Sequence, residues 1–371
     1  MRYRGGWAIQ TAMMPDAEKI KRTLNRRILD WYRKHQRPLP WRKTKNPYLI
    51  WISEVMLQQT QVETVIPYYR RFLKTFPTVD ALARAPLQDV LKVWENLGYY
   101  SRARNMHAAA RKIVEEFGGR MPATLKEIIS LPGIGEYSAG AILSIAYGQT
   151  LPALDGNVRR ILCRLFAIRK PADDAKAQKQ LRRLAALLIP ARHPGDFNQA
   201  LMDLGATICK PKNPECFRCP AAGLCRARIK NLQNVLPLTR RAAAIPHRLT
   251  VAAVIRDSKG RFLVVQRPAS GLLASLWKLP GGFVQDGEKA ENALKQCVKE
   301  ELGISIRLGH HLASINHAYT HFRVTLQAFE CRRLKGSPKP HSRRNWQWAS
   351  PDDLKKLPMS KIDRMILEMI F

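Results

Sequence analysis

The feature that most constrains the fold is a change of period along the chain. From residue 15 to residue 230 apolar residues recur at helical spacing, and no alternating strand pattern occurs. Ile20, Leu24 and Ile28 mark one amphipathic helix, and residues 49–58, 67–76, 87–97, 101–117, 177–188 and 198–208 read as others. Turn residues part them, at Pro38, Pro77, Gly118-Gly119, Pro190 and Pro194-Gly195. Residues 231–246 lack periodicity and carry Pro237 and Pro246, which predicts a linker. Beyond it the period becomes two. Strands are predicted at 249–255 and 261–266, around a turn at Asp257–Gly260, and again at 304–308, 312–316, 322–329 and 346–348, with a helix at 289–302. The expected organisation is a disordered leader (1–14), a helical domain (15–230), a linker (231–246) and an α+β domain (247–371). A length of 371 residues agrees with two domains. Met13 and Met14 are alternative starts, which is why residues 1–14 read as a leader.

Charge narrows the class of partner. Lys and Arg number 63 against 29 Asp and Glu, a net +34. That surplus repels itself unless a polyanion is the partner, and nucleic acid is the leading one; a solvated basic surface is the plain alternative. There is no run of 18 apolar residues and no secretory leader, so a membrane is not expected. Of seven Cys, four crowd between Cys209 and Cys225, and an odd count without a secretory signal fits a reducing cytoplasm.

Within the helical region, Leu131–Arg160 carries two features close together. Residues 127–131 end one helix, Pro132-Gly133-Ile134-Gly135 turns the chain, and residues 136–147 form the next helix. Proline stops the first helix, and Gly133 and Gly135 each permit a left-handed backbone. The free N–H groups at the start of the second helix form a ready phosphate site. Asp155, followed by Gly156, Asn157 and Val158, reads as the N-cap of an amphipathic helix. By itself this stretch is equally a plain hairpin followed by an ordinary cap. The spacing Cys209-x6-Cys216-x2-Cys219-x5-Cys225 can close around one metal centre. Structural zinc usually takes two tight pairs, and only Cys216 and Cys219 form one. The run also differs from ferredoxin spacings.

Taken in order, LPGIG at 131–135, Asp155-Gly156-Asn157-Val158 and the four Cys resemble the endonuclease III superfamily of DNA glycosylases. SEVMLQQTQV at 53–62 and GYYSRARN at 98–105 narrow the resemblance to the MutY family, the adenine DNA glycosylases, over residues 20–228 and into the C-terminal domain. The resemblance implies a 4Fe–4S cluster on Cys209, Cys216, Cys219 and Cys225. It implies that Glu54 protonates adenine at N7 and that Asp155, with Asn157 beside it, stabilises the cationic sugar. Physical chemistry supports that pair. Burial of Glu54 among Ser53, Val55, Met56 and Leu57 would raise its pKa, whereas Asp155 at a helix N-terminus should stay ionised. Two carboxyls pushed apart in this way give an acid and an electrostatic stabiliser. Tyr137 stands where bifunctional relatives carry the lysine that forms a Schiff base, so a monofunctional enzyme is expected. By the same resemblance, Gln59 and Tyr99 enter the duplex as the base is flipped. Gly133 and Gly135 contact its backbone, and Trp41, Arg42 and Gln199 line the adenine pocket.

In the C-terminal domain, Gly282-x5-Glu288-x7-Gln296-Cys297-Val298-x-Glu300-Glu301-x-Gly303-Ile304 resembles the Nudix box, with Gln-Cys where Arg-Glu is usual. A metal site for pyrophosphate cleavage thus lacks a carboxylate and the Arg that orients it. His317–Phe322 resembles the loop with which MutY-family enzymes grip 8-oxoguanine, here through Tyr319, Thr320 and His321. The expected fold is a mainly α helix–hairpin–helix glycosylase domain with an iron–sulfur loop, followed by an α+β Nudix-like domain. The expected function is removal of adenine mispaired with 8-oxoguanine or guanine in double-stranded DNA, by a monomer in the cytoplasm, associated with the nucleoid. Three alternatives stand beside it: a bifunctional glycosylase/lyase of the endonuclease III type, a non-enzymatic helix–hairpin–helix DNA-binding protein, and a Nudix pyrophosphatase.

Overall fold

The computed structural model of the protein describes residues 5–239, 245–319, 321–339 and 345–370. Thr320, residues 240–244 of the expected linker and residues 1–4 of the expected leader lie outside the described residues. The chain divides into two compact units, residues 1–83 with 108–241, and residues 84–107 with 242–371.

In chain order the helices up to residue 229 are α1 (Gly5–His35), α2 (Pro47–Met56), α3 (Val62–Thr75), α4 (Val79–Arg84), α5 (Leu87–Val93), α6 (Ser101–Phe117), α7 (Leu125–Ile129), α8 (Glu136–Tyr147), α9 (Gly156–Leu165), α10 (Ala175–Leu188), α11 (Pro194–Thr207) and α12 (Arg226–Ile229). Of these, α5 and residues 101–107 of α6 belong to the second unit. α1 begins at Gly5, inside the stretch expected to be a leader. α3 begins before Pro67 rather than at it, and Pro67 lies inside the helix. The buried stripe of Val65, Tyr69 and Phe72 carries the helix through that interruption.

One core of the first unit gathers Leu24 and Ile28 of α1, Ile161, Leu162 and Leu165 of α9, Leu181 and Leu184 of α10, and Phe197 and Leu201 of α11. α2 is buried along nearly its whole length, from Tyr48 and Ile50 through Met56. A helix apolar all round belongs inside a domain, so Glu54, at its centre, is carried inside too. The hairpin forms where expected. Thr124 caps α7, accepting from the Glu127 N–H at 3.3 Å, and α8 follows the turn. Gly133 uses that freedom, with a φ of +79°, whereas Gly135, at φ −101° and ψ −179°, is the extended N-cap of α8. A residue that enters a helix from extended backbone needs no left-handed turn. It has no side chain to cap the helix, so the first N–H groups of α8 are left for another acceptor.

The second unit contains two sheets, of strand order β4-β1-β6-β5 and β3-β2-β7. The strands are β1 (His247–Ile255), β2 (Phe262–Gln266), β3 (Trp277–Lys278), β4 (Gly281–Phe283), β5 (Ser305–Ala318), β6 (Arg323–Lys335) and β7 (Trp346–Ala349). The remaining helices are α13 (Ala290–Leu302), α14 (Pro351–Lys356) and α15 (Lys361–Ile370). β1 runs parallel to β6 and antiparallel to β4. Alternate residues of β1 enter different cores. Ala252 and Val254 pack with Leu354, Ile362 and Ile366, whereas Val251, Ala253 and Ile255 pack with Leu294, Val298 and Leu302. A strand buried on both faces reads as a continuous apolar run. The two strands expected at 304–308 and 312–316 are one strand, β5, whose register against β6 shifts between Leu308 and His311. A bulge lets one strand run on where its pattern breaks. α5 and its neighbours are tied into this unit. The Trp277 indole N–H donates to the Gln88 side chain at 3.0 Å, Arg364 pairs with Glu95 at 2.7 Å, and Arg104 donates to the Ala274 carbonyl at 3.0 Å.

Candidate active site

Three elements of the first unit converge on one cavity of about 340 Å³. α2 supplies Glu54, α8 supplies Tyr137, and the N-terminus of α9 supplies Asp155 and Asn157. Trp41, Arg42 and Gln199 stand on its wall as well. Seven side chains predicted from positions far apart in sequence thus meet at one place. The volume is in the range of a small-molecule site.

Glu54 is 4% exposed, and Tyr137 donates its hydroxyl proton to Glu54 Oε2 at 2.6 Å. Burial raises the Glu54 carboxyl to about 7, opposed by the Tyr137 hydrogen bond and raised further by Asp155. Removal from water disfavours the charged form of a carboxyl, so Glu54 can hold a proton near neutral pH. The Tyr137 hydroxyl is pushed well above its ordinary value by burial and by the Glu54 and Asp155 carboxyls. It is therefore a donor and not a base.

Asp155 caps α9, accepting from the Val158 N–H at 2.7 Å on Oδ1 and from the Asn157 amide at 2.9 Å on Oδ2. Burial pushes its carboxyl up from the ordinary aspartate value, not down as the cap alone would do, while the Val158 and Asn157 hydrogen bonds and Arg160 oppose the rise. Helix-terminal donors are thus one influence among several here. Asn157 is held from both sides. Arg160 donates to its Oδ1 at 2.7 Å, and a Cβ added to Gly205 of α11 would stand 2.5 Å from Asn157 Cβ. Only a glycine allows α11 to pass so close to the start of α9.

On the wall, Trp41 is buried and meets Tyr69 edge to face, with ring centroids 5.3 Å apart. Gln199 is buried on α11. Arg42 is engaged with Asp203, one helical turn along α11 from Gln199, through both terminal nitrogens, and Arg37 reaches the same carboxylate at 2.6 Å. Sequence reading missed Arg37 and Asp203. The signal was an aspartate among apolar residues at i+4 from Gln199, which puts both on one helix face.

Gln59 does not line this cavity; it lies just past α2, with an exposed side chain and a φ of +57°. Tyr99 belongs to the second unit, at 38% exposure and a φ of +46°. A left-handed backbone is uncommon outside glycine and marks positions worth a functional reading. In the second unit Tyr99 lines a cavity of about 490 Å³ together with Arg104, His317, Tyr319, His321 and Phe322. The ring centroids of Tyr319 and His317 are 4.8 Å apart. In the Nudix-like box, Glu301 forms a buried pair with Lys278 at 2.8 Å and also accepts from the Gly281 N–H. Gln296 donates to Glu300. An ammonium ion thus neutralises a carboxylate that a divalent cation would need.

Cys209, Cys216, Cys219 and Cys225 line one small cavity with Arg164 and Arg228. Arg164 is fully buried and donates to Cys209 Sγ at 3.2 Å. Burial raises the Cys219 thiol to about 12. Four thiols around one small cavity, with Arg164 and Arg228 beside them to offset negative charge, are a donor set that a thiolate-bound metal centre fits.

Residues 52–186 match the model of the HhH-GPD superfamily of base excision DNA repair proteins, and residues 251–369 match that of the NUDIX domain. The chain is 38% identical over 357 residues to human adenine DNA glycosylase, covering 81% of this chain and 65% of that one. It is 36% identical to the rat adenine DNA glycosylase, covering 90% of this chain and 75% of that one. Among solved structures it is similar to a thermostable thymine-DNA glycosylase, at 30% identity and a TM-score of 0.52, over 57% of this chain and 98% of that chain. It shares the fold of an endonuclease III trapped on DNA, at 23% identity and a TM-score of 0.50, over 58% of this chain and 98% of that one. None of the described helices is long and apolar enough to cross a membrane. Likeness at this identity, over most of both chains, places the protein in one family: it belongs to the adenine DNA glycosylases, enzymes of base excision DNA repair.

Proposed function

We propose that the cavity of the first unit takes an adenine flipped out of duplex DNA opposite 8-oxoguanine or guanine, and that Glu54 and Asp155 break its N-glycosidic bond. The observation that carries this is the convergence of a protonatable, buried Glu54 and a capped Asp155 on one cavity. Glu54 donates its proton to the departing purine at N7, which lets the base leave as a neutral molecule. Asp155, its oxygens fixed by Val158 and Asn157, offsets the positive charge that develops on the sugar until a solvent water bonds C1′ and gives up a proton, leaving an abasic site. Tyr137 orients the Glu54 carboxyl. Having no amine it forms no Schiff base, so the enzyme releases base without cutting the strand. Trp41, Arg42 and Gln199 shape the pocket for the purine.

Gln59 and Tyr99, both on left-handed backbone with exposed side chains, enter the duplex beside the flipped base. Gly133, Gly135 and the uncapped start of α8 bind a phosphate. Tyr319 and His321, with Thr320 between them, contact the damaged guanine. The four Cys hold a 4Fe–4S cluster, a group able to exchange electrons and to rigidify the loop that carries it. The protein acts as a monomer in the cytoplasm, held near the nucleoid by its charge of +34.

The test is a duplex with adenine opposite 8-oxoguanine, incubated with the protein and analysed with and without hot alkali. Strand breaks only after alkali are expected. Breaks without alkali would indicate a lyase, and no breaks in either case would refute the glycosylase chemistry.

A further inference from the structure

Asp203 is fully buried on α11, yet nothing in the chemistry above uses it. Its Oδ1 accepts from Arg37 Nε at 2.6 Å and from Arg42 Nη2 at 2.7 Å, while its Oδ2 accepts from Arg42 Nη1. The Arg37 backbone N–H adds a further bond at 3.3 Å. Both arginines line the cavity that holds Glu54. Arg42 lies over the Tyr32 ring, and its Nε is buried without a protein partner. A buried carboxylate shared by two guanidinium groups is a costly arrangement that a pair of apolar side chains would replace with little loss. Its worth therefore lies in what it does for the cavity.

We propose that Asp203 is a positioning residue: it fixes Arg42 flat in the cavity wall beside the base and offsets the positive charge that Arg42 and Arg37 would otherwise turn on Glu54. This rests on the reading of Glu54 as the acid. Glu54 is faced by Tyr137 from α8, by Asp155 from the cap of α9 and by Arg42 from the turn before α2, while Arg37 and Glu63 also stand on the cavity wall. Of these, Arg42 is the charged group that favours loss of the Glu54 proton. A cation within a few ångströms favours a carboxylate, and it does so more strongly when its own counter-ion is removed. Unpaired, the two guanidinium groups would strip Glu54 of the proton it must donate.

The measurement is the pH profile of single-turnover adenine release, where activity falls as Glu54 ionises. In Asp203→Asn the alkaline limb should move down by about one pH unit, whereas Asp203→Glu, which keeps the charge, should leave the limb in place. Arg42→Gln should move the limb up. A merely structural role for Asp203 predicts a uniform loss of rate with every limb unmoved, and that result would overturn the proposal. Should Asp203→Asn not fold, the comparison is made in the Arg42→Gln background. There, adding Asp203→Asn should bring the raised limb back down, and an unchanged limb overturns the proposal equally. Glu54→Gln separates the two readings. If it abolishes release while Asp203→Asn shifts nothing, only the role of Asp203 fails. If it leaves release intact, the assignment of the acid fails and takes Asp203 with it.

Discussion

Glu54 and Asp155 carry the same chemical group, and burial raises both carboxyls. They differ in what they bond to. Asp155 accepts from a backbone N–H and an amide, donors that favour its charged form, while Glu54 has a single hydroxyl donor. The pH dependence follows with a definite sign. Glu54 works protonated, so adenine release should decline as pH rises through about 7, where its carboxyl ionises, while protonation of Asp155 sets the acid limb. Glu54→Gln should cost on the order of a hundredfold or more in single-turnover rate with DNA binding largely retained. Near-full activity in that variant would rule Glu54 out. The Tyr137 hydrogen bond holds the Glu54 carboxyl down. Tyr137→Phe should therefore shift the alkaline limb upward, by up to about one unit, and a limb that moves down would show that the hydroxyl acts otherwise.

At the scale of elements, the site depends on how closely α9 and α11 approach each other. Gly205 is the contact point, and a methyl group there meets Asn157 Cβ at 2.5 Å, a separation that real Cβ atoms do not show. Gly205→Ala should destabilise the protein by about 1–3 kcal/mol, because it forces the two helices apart. It should also slow base release, because Asn157 holds the Asp155 carboxylate. Thermal melting together with single-turnover rates checks both, and an unchanged melting temperature would mean that the helices relax freely. The cysteine loop is a second such element. Protein prepared without oxygen should carry about four iron and four sulfide per chain. Stoichiometric zinc in place of iron would reject the cluster. Pro67 and Gly135 show how local rules yield to packing. A proline lies within α3 because three buried residues hold the helix, and a glycine begins α8 in extended backbone.

Across the whole molecule, the surplus of 63 basic over 29 acidic residues should show as salt-sensitive binding. With about six phosphates neutralised, log K should fall against log salt with a slope of about −5. A slope near zero would mean the charge serves something other than DNA. The second unit also decides how the reading of the damaged base is best tested. Deleting residues 247–371 would strip Gln88, Glu95 and Arg104 of partners within their own compact unit. A point change is cleaner. Tyr319→Ala should reduce the ratio of adenine excision opposite 8-oxoguanine to that opposite guanine, with slow release retained on both duplexes. An unchanged ratio would place the recognition of the damaged base elsewhere.

Much of this protein is legible from local chemistry. The period of the apolar residues separates helical from strand-forming regions, Pro132 and Gly133 mark the hairpin, Asp155 reads as a cap, and the four Cys lie close enough in the chain to line one cavity. Each of these is set by residues near one another in the chain, so sequence alone determines it. Other features are long-range and depend on packing. Burial of all of α2 raises Glu54, and the helix–strand contacts of the second unit recruit residues 84–107 to it. The pairing of Asp203 with Arg37 and Arg42 joins residues more than 160 positions apart. The direction of the shift at Asp155 likewise turned on burial, which a cap motif does not encode. Short-range pattern fixes the identity of the groups, while solvent exclusion and charge pairing are properties of the folded interior, and only the tertiary structure decides them.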